Sequence, residues 1–159
     1  LPGLKNLIFV CSGNTCRSPL AEGIARKLFP GKLLEKINVS SAGTSALEGL
    51  PASSMAIKVA ERNAIDLTAH RTRLLTKSLI DQADLILTMT EQHRRTTGIV
   101  EPSALAYTHL LSEFCDEVEG DIQDPVGMGL DAYEETFSVL AKCIEGLRGK
   151  LEDYKGWKK

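Results

Sequence analysis

The sequence predicts an α/β fold with a single doubly wound sheet of about four parallel strands flanked by helices. Three observations predict it. Short apolar runs alternate with helical patterns along the whole chain, the order that builds parallel sheets. The first run, Asn6 to Val10, is continuously apolar after its first residue, as in a strand covered on both faces. It empties into Cys11-Ser12-Gly13-Asn14-Thr15-Cys16-Arg17, a loop of mostly small residues that ends where Ser18-Pro19 opens a helix. Ligands of such sheets bind beyond the carboxyl ends of the strands, so the anion loop after the first strand and the flavodoxin-like architecture support each other.

In chain order, Ser18 is expected to cap the first helix with Pro19 at its first position, and Leu20, Ile24 and Leu28 share one face. Phe29-Pro30-Gly31 ends it. Ile37 to Ser40 alternates as a second strand and runs into Ser41-Ala42-Gly43-Thr44, a small-residue turn placed beside the first loop. Pro51 to Asn63 reads as a helix with Met55, Val59 and Ala60 inward. Ile65 to Arg73 is loop and turn, and Thr76 caps a short helix over Lys77 to Gln82. Asp84 to Met89 is the clearest buried strand after the first, and Thr90 caps a polar helix through about Gly98. Ala104 to His109 is expected as a shorter fourth strand. Cys115 to Leu130 holds three glycines, a proline and five acidic residues, and reads as a long loop. Asp131 opens the longest helix with box-like spacing, and Tyr133, Phe137, Leu140, Ile144, Leu147 and Leu151 form its apolar stripe.

The 159 residues are 43% hydrophobic and 25% charged, with a net charge of -2. This is the size of one domain, expected over 1–159 with loose ends at 1–5 and 155–159. The charge balance gives no global reason to bind nucleic acid or an acidic membrane, and no apolar run approaches a membrane span. No signal-peptide pattern precedes Asn6, and four scattered cysteines do not form a secreted disulfide framework, so a reducing cytoplasm is the expected location.

The chemistry resides in the first loop. Consecutive backbone N–H groups and a helix N-terminus converge there on an anion, and Arg17 offers a bidentate fork to two phosphate oxygens. The same field is expected to lower the pKa of Cys11 and favour its thiolate. In-line displacement at phosphorus then gives a phosphocysteine that water hydrolyses. A basic leaving group needs a proton donor, and Asp124, stiffened by Pro125, is the candidate.

The stretch Val10 to Glu22, with Asp124-Pro125, resembles the low-molecular-weight protein tyrosine phosphatase family, and the likeness runs along nearly the whole chain. The resemblance implies Cys11 as nucleophile, Arg17 as phosphate clamp, Ser18 as donor to the thiolate, and Asp124 as acid and then base. Asn14 would hold the loop through Ser41 and His70, and Ser12 to Arg17 would cradle phosphate. Phosphorylated proteins or peptides are the implied partners and inorganic phosphate the product. No cofactor and no metal are implied, and Cys11-x4-Cys16 has no second ligand pair at zinc-like spacing. Cys16 either packs under the loop or forms a reversible disulfide with Cys11. Cys115 and Cys143 have no partner motif and read as packing residues; His93 and His109 read as surface or strand-end residues.

Tyrosine phosphatases of this family place bulky apolar residues in the loop and aromatics after Asp-Pro, which clamp a phenyl ring. Here Thr15 stands in the loop and Val126-Gly127 follows Asp-Pro. The threonine loop resembles the bacterial protein arginine phosphatase branch, although Val126 stands where that branch has phenylalanine. A guanidinium can donate to Thr15 and to Asp124, whereas a phenyl ring cannot. Phosphoarginine is therefore the expected substrate, with phosphotyrosine the alternative. Arsenate reduction lacks its relay cysteines, because none lies between Cys16 and Cys115, and a silent anion-binding module needs neither nucleophile nor acid.

Overall fold

The computed structural model describes residues 4–152. Four parallel strands, β1 (Asn6–Cys11), β2 (Asn38–Gly43), β3 (Leu85–Thr88) and β4 (Thr108–Leu110), form one sheet in the order β2-β1-β3-β4. The helices are α1 (Arg17–Leu28), α2 (Gly31–Leu34), α3 (Ser54–Arg62), α4 (Lys77–Gln82), α5 (Glu91–Val100) and α6 (Leu130–Glu152). β1 is central because Leu7, Phe9 and Val10 are wholly buried and Ile8 nearly so, which only a strand flanked on both edges and both faces achieves. Leu7 and Phe9 meet Leu20 and Ile24 of α1 and the apolar stripe of α6, whereas Ile8 and Val10 face Leu75, Ile80 and Ile86. The two faces thus hold two cores with β1 between them.

Four expectations change on folding. The small residues Ser41, Ala42 and Gly43 continue β2 rather than turning, in register with β1 so that Gly43 stands opposite Cys11. Ala104 to Tyr107 belong to a 3-10 helix over Pro102–Tyr107, and the fourth strand is only Thr108–Leu110. Glu101 caps that helix by accepting from Ser103 N–H, with Pro102 at its start, and this local chemistry outweighs a weak apolar run. α3 starts later than Pro51, at the Ser53 cap, and buries Ala56, Val59 and Ala60 while Met55 lies on its flank, 36% exposed. Ser18 does not cap α1: the cap position is Cys16, without a side-chain bond, and the Ser18 hydroxyl turns to Cys11 instead.

The chain ends expected as loose divide. Leu4 is buried in the core and Lys5 N–H donates to Asp84, while residues 1–3 and 155–159 lie outside the described residues. Asp84 precedes β3 rather than opening it and also accepts from Asn6 N–H, joining the starts of two strands.

The long segment after Phe114 is irregular, as expected, but it is not wholly outside the core. Ile122 is buried, and its N–H donates to Met89 at the end of β3 at 2.9 Å. Phe114 and Cys115 reach α6 because Gly146 leaves the space: a Cβ there would collide with the Phe114 carbonyl. Cys115 and Cys143, expected to lack a partner, share a hydrogen bond at this crossing, and burial together with Cys115 pushes the Cys143 thiol up to about 12.

Candidate active site

Four carbonyls of the first loop are turned outward and held by other elements. Thr44 N–H donates to Cys11 O at 2.9 Å, Ser45 N–H to Ser12 O at 3.0 Å and Ser53 N–H to Thr15 O at 2.9 Å. His70 Nε2 lies 2.8 Å from Asn14 O; a carbonyl only accepts, so His70 carries its proton on Nε2. With these carbonyls held by other elements, the N–H of Asn14 in the loop and that of Ser18 in the first turn of α1 reach Cys11 Sγ. Gly43 makes the wrapping possible, because a Cβ there would press into Ser12 O and sit 2.9 Å from Asn14 N.

Asn14 is the internal brace. It sits in the left-handed region at φ 58 and is fully buried. Its Nδ2 donates to Ser18 Oγ at 2.8 Å and Ser41 Oγ at 3.0 Å, and its Oδ1 accepts from Arg73 N–H at 3.0 Å. Because Asn14 donates into Ser18 Oγ, the Ser18 proton goes either to Cys11 Sγ, 2.9 Å away, or to the more distant Ala42 carbonyl at 3.4 Å, and the shorter contact is the one to Cys11.

Burial pushes the Cys11 thiol above its ordinary value, against the expectation of a lowered one. Ser18, the loop N–H groups and the Arg17 charge all pull the other way, but desolvation of a group this deeply covered is larger. Arg17 is itself buried at 4% exposure and already engaged: Nη1 donates to Ile122 O at 2.9 Å and Nη2 meets Asp124 Oδ2 at 3.3 Å. Its charge is shared with a carboxylate before any anion arrives.

The structure brings Cys11, Arg17, Ser18, Asn14, Ser41, His70 and Asp124 together as one bowl and its support: Ser18 meets Cys11, Arg17 meets Asp124, and Ser41 and His70 hold Asn14 behind the loop. Asp124 accepts Val126 N–H at 3.1 Å on its other oxygen, and Gly127, at φ 79, closes a turn in which Met128 N–H reaches Pro125 O. Val126 itself is 58% exposed. Thr15 is half-buried in the loop with its hydroxyl 3.6 Å from Cys16 Sγ. Cys16 is buried and its thiol lies against Ser53 Oγ at 3.2 Å and Tyr133 OH at 3.3 Å; all four cysteines are free thiols.

Two contributors escape sequence reasoning. His93, expected at the surface, is 4% exposed, with Nε2 2.8 Å from Ser12 Oγ. It is the third residue after the Thr90 cap, and that capping-box position was the available signal. The Ile122 carbonyl, which orients Arg17, is a backbone group and leaves no side-chain signature.

A family model described as low molecular weight phosphotyrosine protein phosphatase matches residues 6–155. The chain is 39% identical over 146 residues to a protein-arginine-phosphatase of Geobacillus stearothermophilus, covering 92% of this chain and 95% of that one. It is 34% identical over 142 residues to a probable low molecular weight protein-tyrosine-phosphatase, EpsP, of Ralstonia solanacearum, covering 89% and 92%. The solved YwlE arginine phosphatase from Geobacillus stearothermophilus superposes with a TM-score of 0.85 at 36% identity, over 94% of each chain.

Proposed function

The chain belongs to the low molecular weight phosphotyrosine protein phosphatase family and is a cysteine-dependent hydrolase, and from that premise we propose that it prefers phosphoarginine to phosphotyrosine in protein substrates. The observation that carries the preference is Thr15. Its carbonyl is pinned by Ser53 and its hydroxyl lies 3.6 Å from Cys16 Sγ on a half-buried side chain, which supports reading it as a polar neighbour for the group that leaves. Tyr133, an aromatic beside the loop, is 4% exposed and bonded to Cys16, and so is no wall for a phenyl ring.

In the proposed reaction the phosphoryl oxygens take over Arg17 from Asp124 and fill the loop N–H groups. Cys11 Sγ, as thiolate accepting from Ser18, attacks phosphorus in line as the P–N bond breaks. Asp124 gives its proton to the departing guanidine nitrogen. It then takes a proton from water, which attacks the phosphocysteine and releases inorganic phosphate and Cys11. Cys16 is proposed as the redox partner: peroxide oxidises Cys11 to the sulfenic acid, and the Cys16 thiol displaces water to close a disulfide. Mass spectrometry after mild peroxide should find that bridge; sulfinic Cys11 without it refutes this role. Among the described residues no helix is long and apolar enough to cross a membrane.

Paired turnover of phosphoarginine and phosphotyrosine peptides tests the substrate, with Cys11→Ser as blank. The wild type is expected to favour phosphoarginine and Thr15→Ile to move the ratio toward phosphotyrosine. An unchanged ratio in Thr15→Ile removes the assignment. Phosphotyrosine preference in the wild type leaves the tyrosine phosphatase reading, which the EpsP relative supports.

A further inference from the structure

The contact between Ser12 and His93 joins the residue immediately after the nucleophile to the first turn of α5, 81 positions away. Its proton positions follow from the other ring nitrogen. Thr90 N–H donates to His93 Nδ1 at 3.2 Å, so Nδ1 is an acceptor and the neutral ring carries its proton on Nε2. His93 Nε2–H therefore donates to Ser12 Oγ. The ring is neutral near neutral pH, since burial and then the Arg17 charge hold its pKa down at about 4, with Asp121 and Asp124 pulling weakly upward.

Ser12 Oγ has one hydrogen-bond partner among the described residues, and it is His93. A serine hydroxyl has two lone pairs and one proton. With one lone pair filled by the imidazole, the remaining lone pair and the proton are both open, and Ser12 is half-buried at the bowl. The charges of Arg17 and Asp124 both act on the His93 ring. Ser12 adjoins Cys11 in the loop, its carbonyl held by Ser45 N–H at 3.0 Å and its hydroxyl by His93 at 2.8 Å.

We propose that Ser12 and His93 act as one specificity-determining unit: the imidazole positions the Ser12 hydroxyl to donate to a phosphoryl oxygen while accepting an N–H of the substrate guanidinium. The proposal rests on the phosphoarginine reading and adds a second residue to Thr15. An aryl phosphate uses only the donated proton, because its bridging oxygen carries no hydrogen. A guanidinium fills the open lone pair as well, and a hydrogen bond to a charged group of this kind corresponds to about tenfold in selectivity. His93 is a positioning residue here, acting through Ser12.

The test reads the ratio of kcat/KM for a phosphoarginine peptide over a phosphotyrosine peptide, with Tm followed in parallel. Ser12→Ala leaves the cap between His93 and Thr90 in place and is expected to lower the ratio about tenfold. His93→Leu is expected to lower it equally, the double variant no further than either, and His93→Gln, whose amide both accepts and donates, to restore most of it. An unchanged ratio in Ser12→Ala, or losses that add in the double variant, overturns the proposal. An effect of His93→Leu on Tm alone does the same, because it leaves the histidine only a helix cap. A wild type that favours phosphotyrosine refutes the substrate reading instead. The pair then stands if Ser12→Ala still lowers the ratio and falls if it does not.

Discussion

Arg17 Nη2 and Asp124 Oδ2, 107 residues apart in sequence, lie 3.3 Å from each other in the bowl. The side chain of Arg17 is 4% exposed and that of Asp124 43% exposed, so the pair joins a buried cation to a carboxylate on a solvated loop. In the proposed reaction an arriving phosphoryl group competes with Asp124 for the guanidinium. Asp124→Asn should therefore bind inorganic phosphate more tightly as a competitive inhibitor, because a negative charge is removed from the bowl. Turnover should fall by about 10²–10⁴ for a basic leaving group and less for an acidic one. Weaker phosphate inhibition would show that the pair orders Arg17 rather than competing with substrate.

Ser18 offsets part of the desolvation of Cys11, since its hydroxyl and N–H both lower a thiol pKa that burial raises. Removing the hydroxyl in Ser18→Ala leaves burial less opposed. The thiol pKa should rise, so the acid limb of the pH profile for kcat/KM moves to higher pH. Measurement is by iodoacetamide inactivation against pH, and an unmoved midpoint would mean that the loop N–H groups and Arg17 suffice.

Gly43 faces Ser12 O and Asn14 N with no space for a methyl group. Gly43→Ala must push the loop away from β2 or bend β2 from its register with β1. Activity is expected to fall by at least about 10²-fold, the scale on which small misplacements of catalytic groups act. Stability should fall by about 1–3 kcal/mol in urea unfolding, as for other overpacked sites. Retention of full turnover would contradict the packing described.

His93 makes stability pH-dependent. Its folded pKa of about 4 lies below the 6.5 of an ordinary histidine, so the unfolded chain binds more protons between these values. The folded state has its full contribution above about pH 6.5 and loses it progressively as pH falls toward 4, by up to about 3 kcal/mol. His93→Gln has no such group, and its unfolding free energy should decline less between pH 7 and 4.5. Parallel slopes for the two proteins would place the acid sensitivity elsewhere.

Much of this site is legible before folding because it is local. Val10 to Pro19 places Cys11, the proposed nucleophile, with the loop and Arg17 within one strand, turn and helix, and chain geometry alone keeps them together. Thr76 and Thr90 are legible as caps for the same reason, each bonding a backbone group three residues on. Asp124 is read as the proposed acid from chemical need and from Pro125 rather than from any spacing to Cys11, and folding places it beside Arg17.

The sequence by itself determined the parallel α/β order, the strand that ends at Cys11 and the residue types of the bowl, because apolar periodicity and short-range hydrogen bonding are written in neighbouring residues. Only the tertiary structure decided that Asn14 accepts from Arg73, that Arg17 rests on Ile122 and Asp124, and that His93 grips Ser12. Each of those contacts spans 59 to 107 residues, and one of them ends on a backbone carbonyl with no identity in the sequence. It also decided the sign of the Cys11 shift, because desolvation depends on how deeply every surrounding element covers the thiol, a quantity that no local stretch contains.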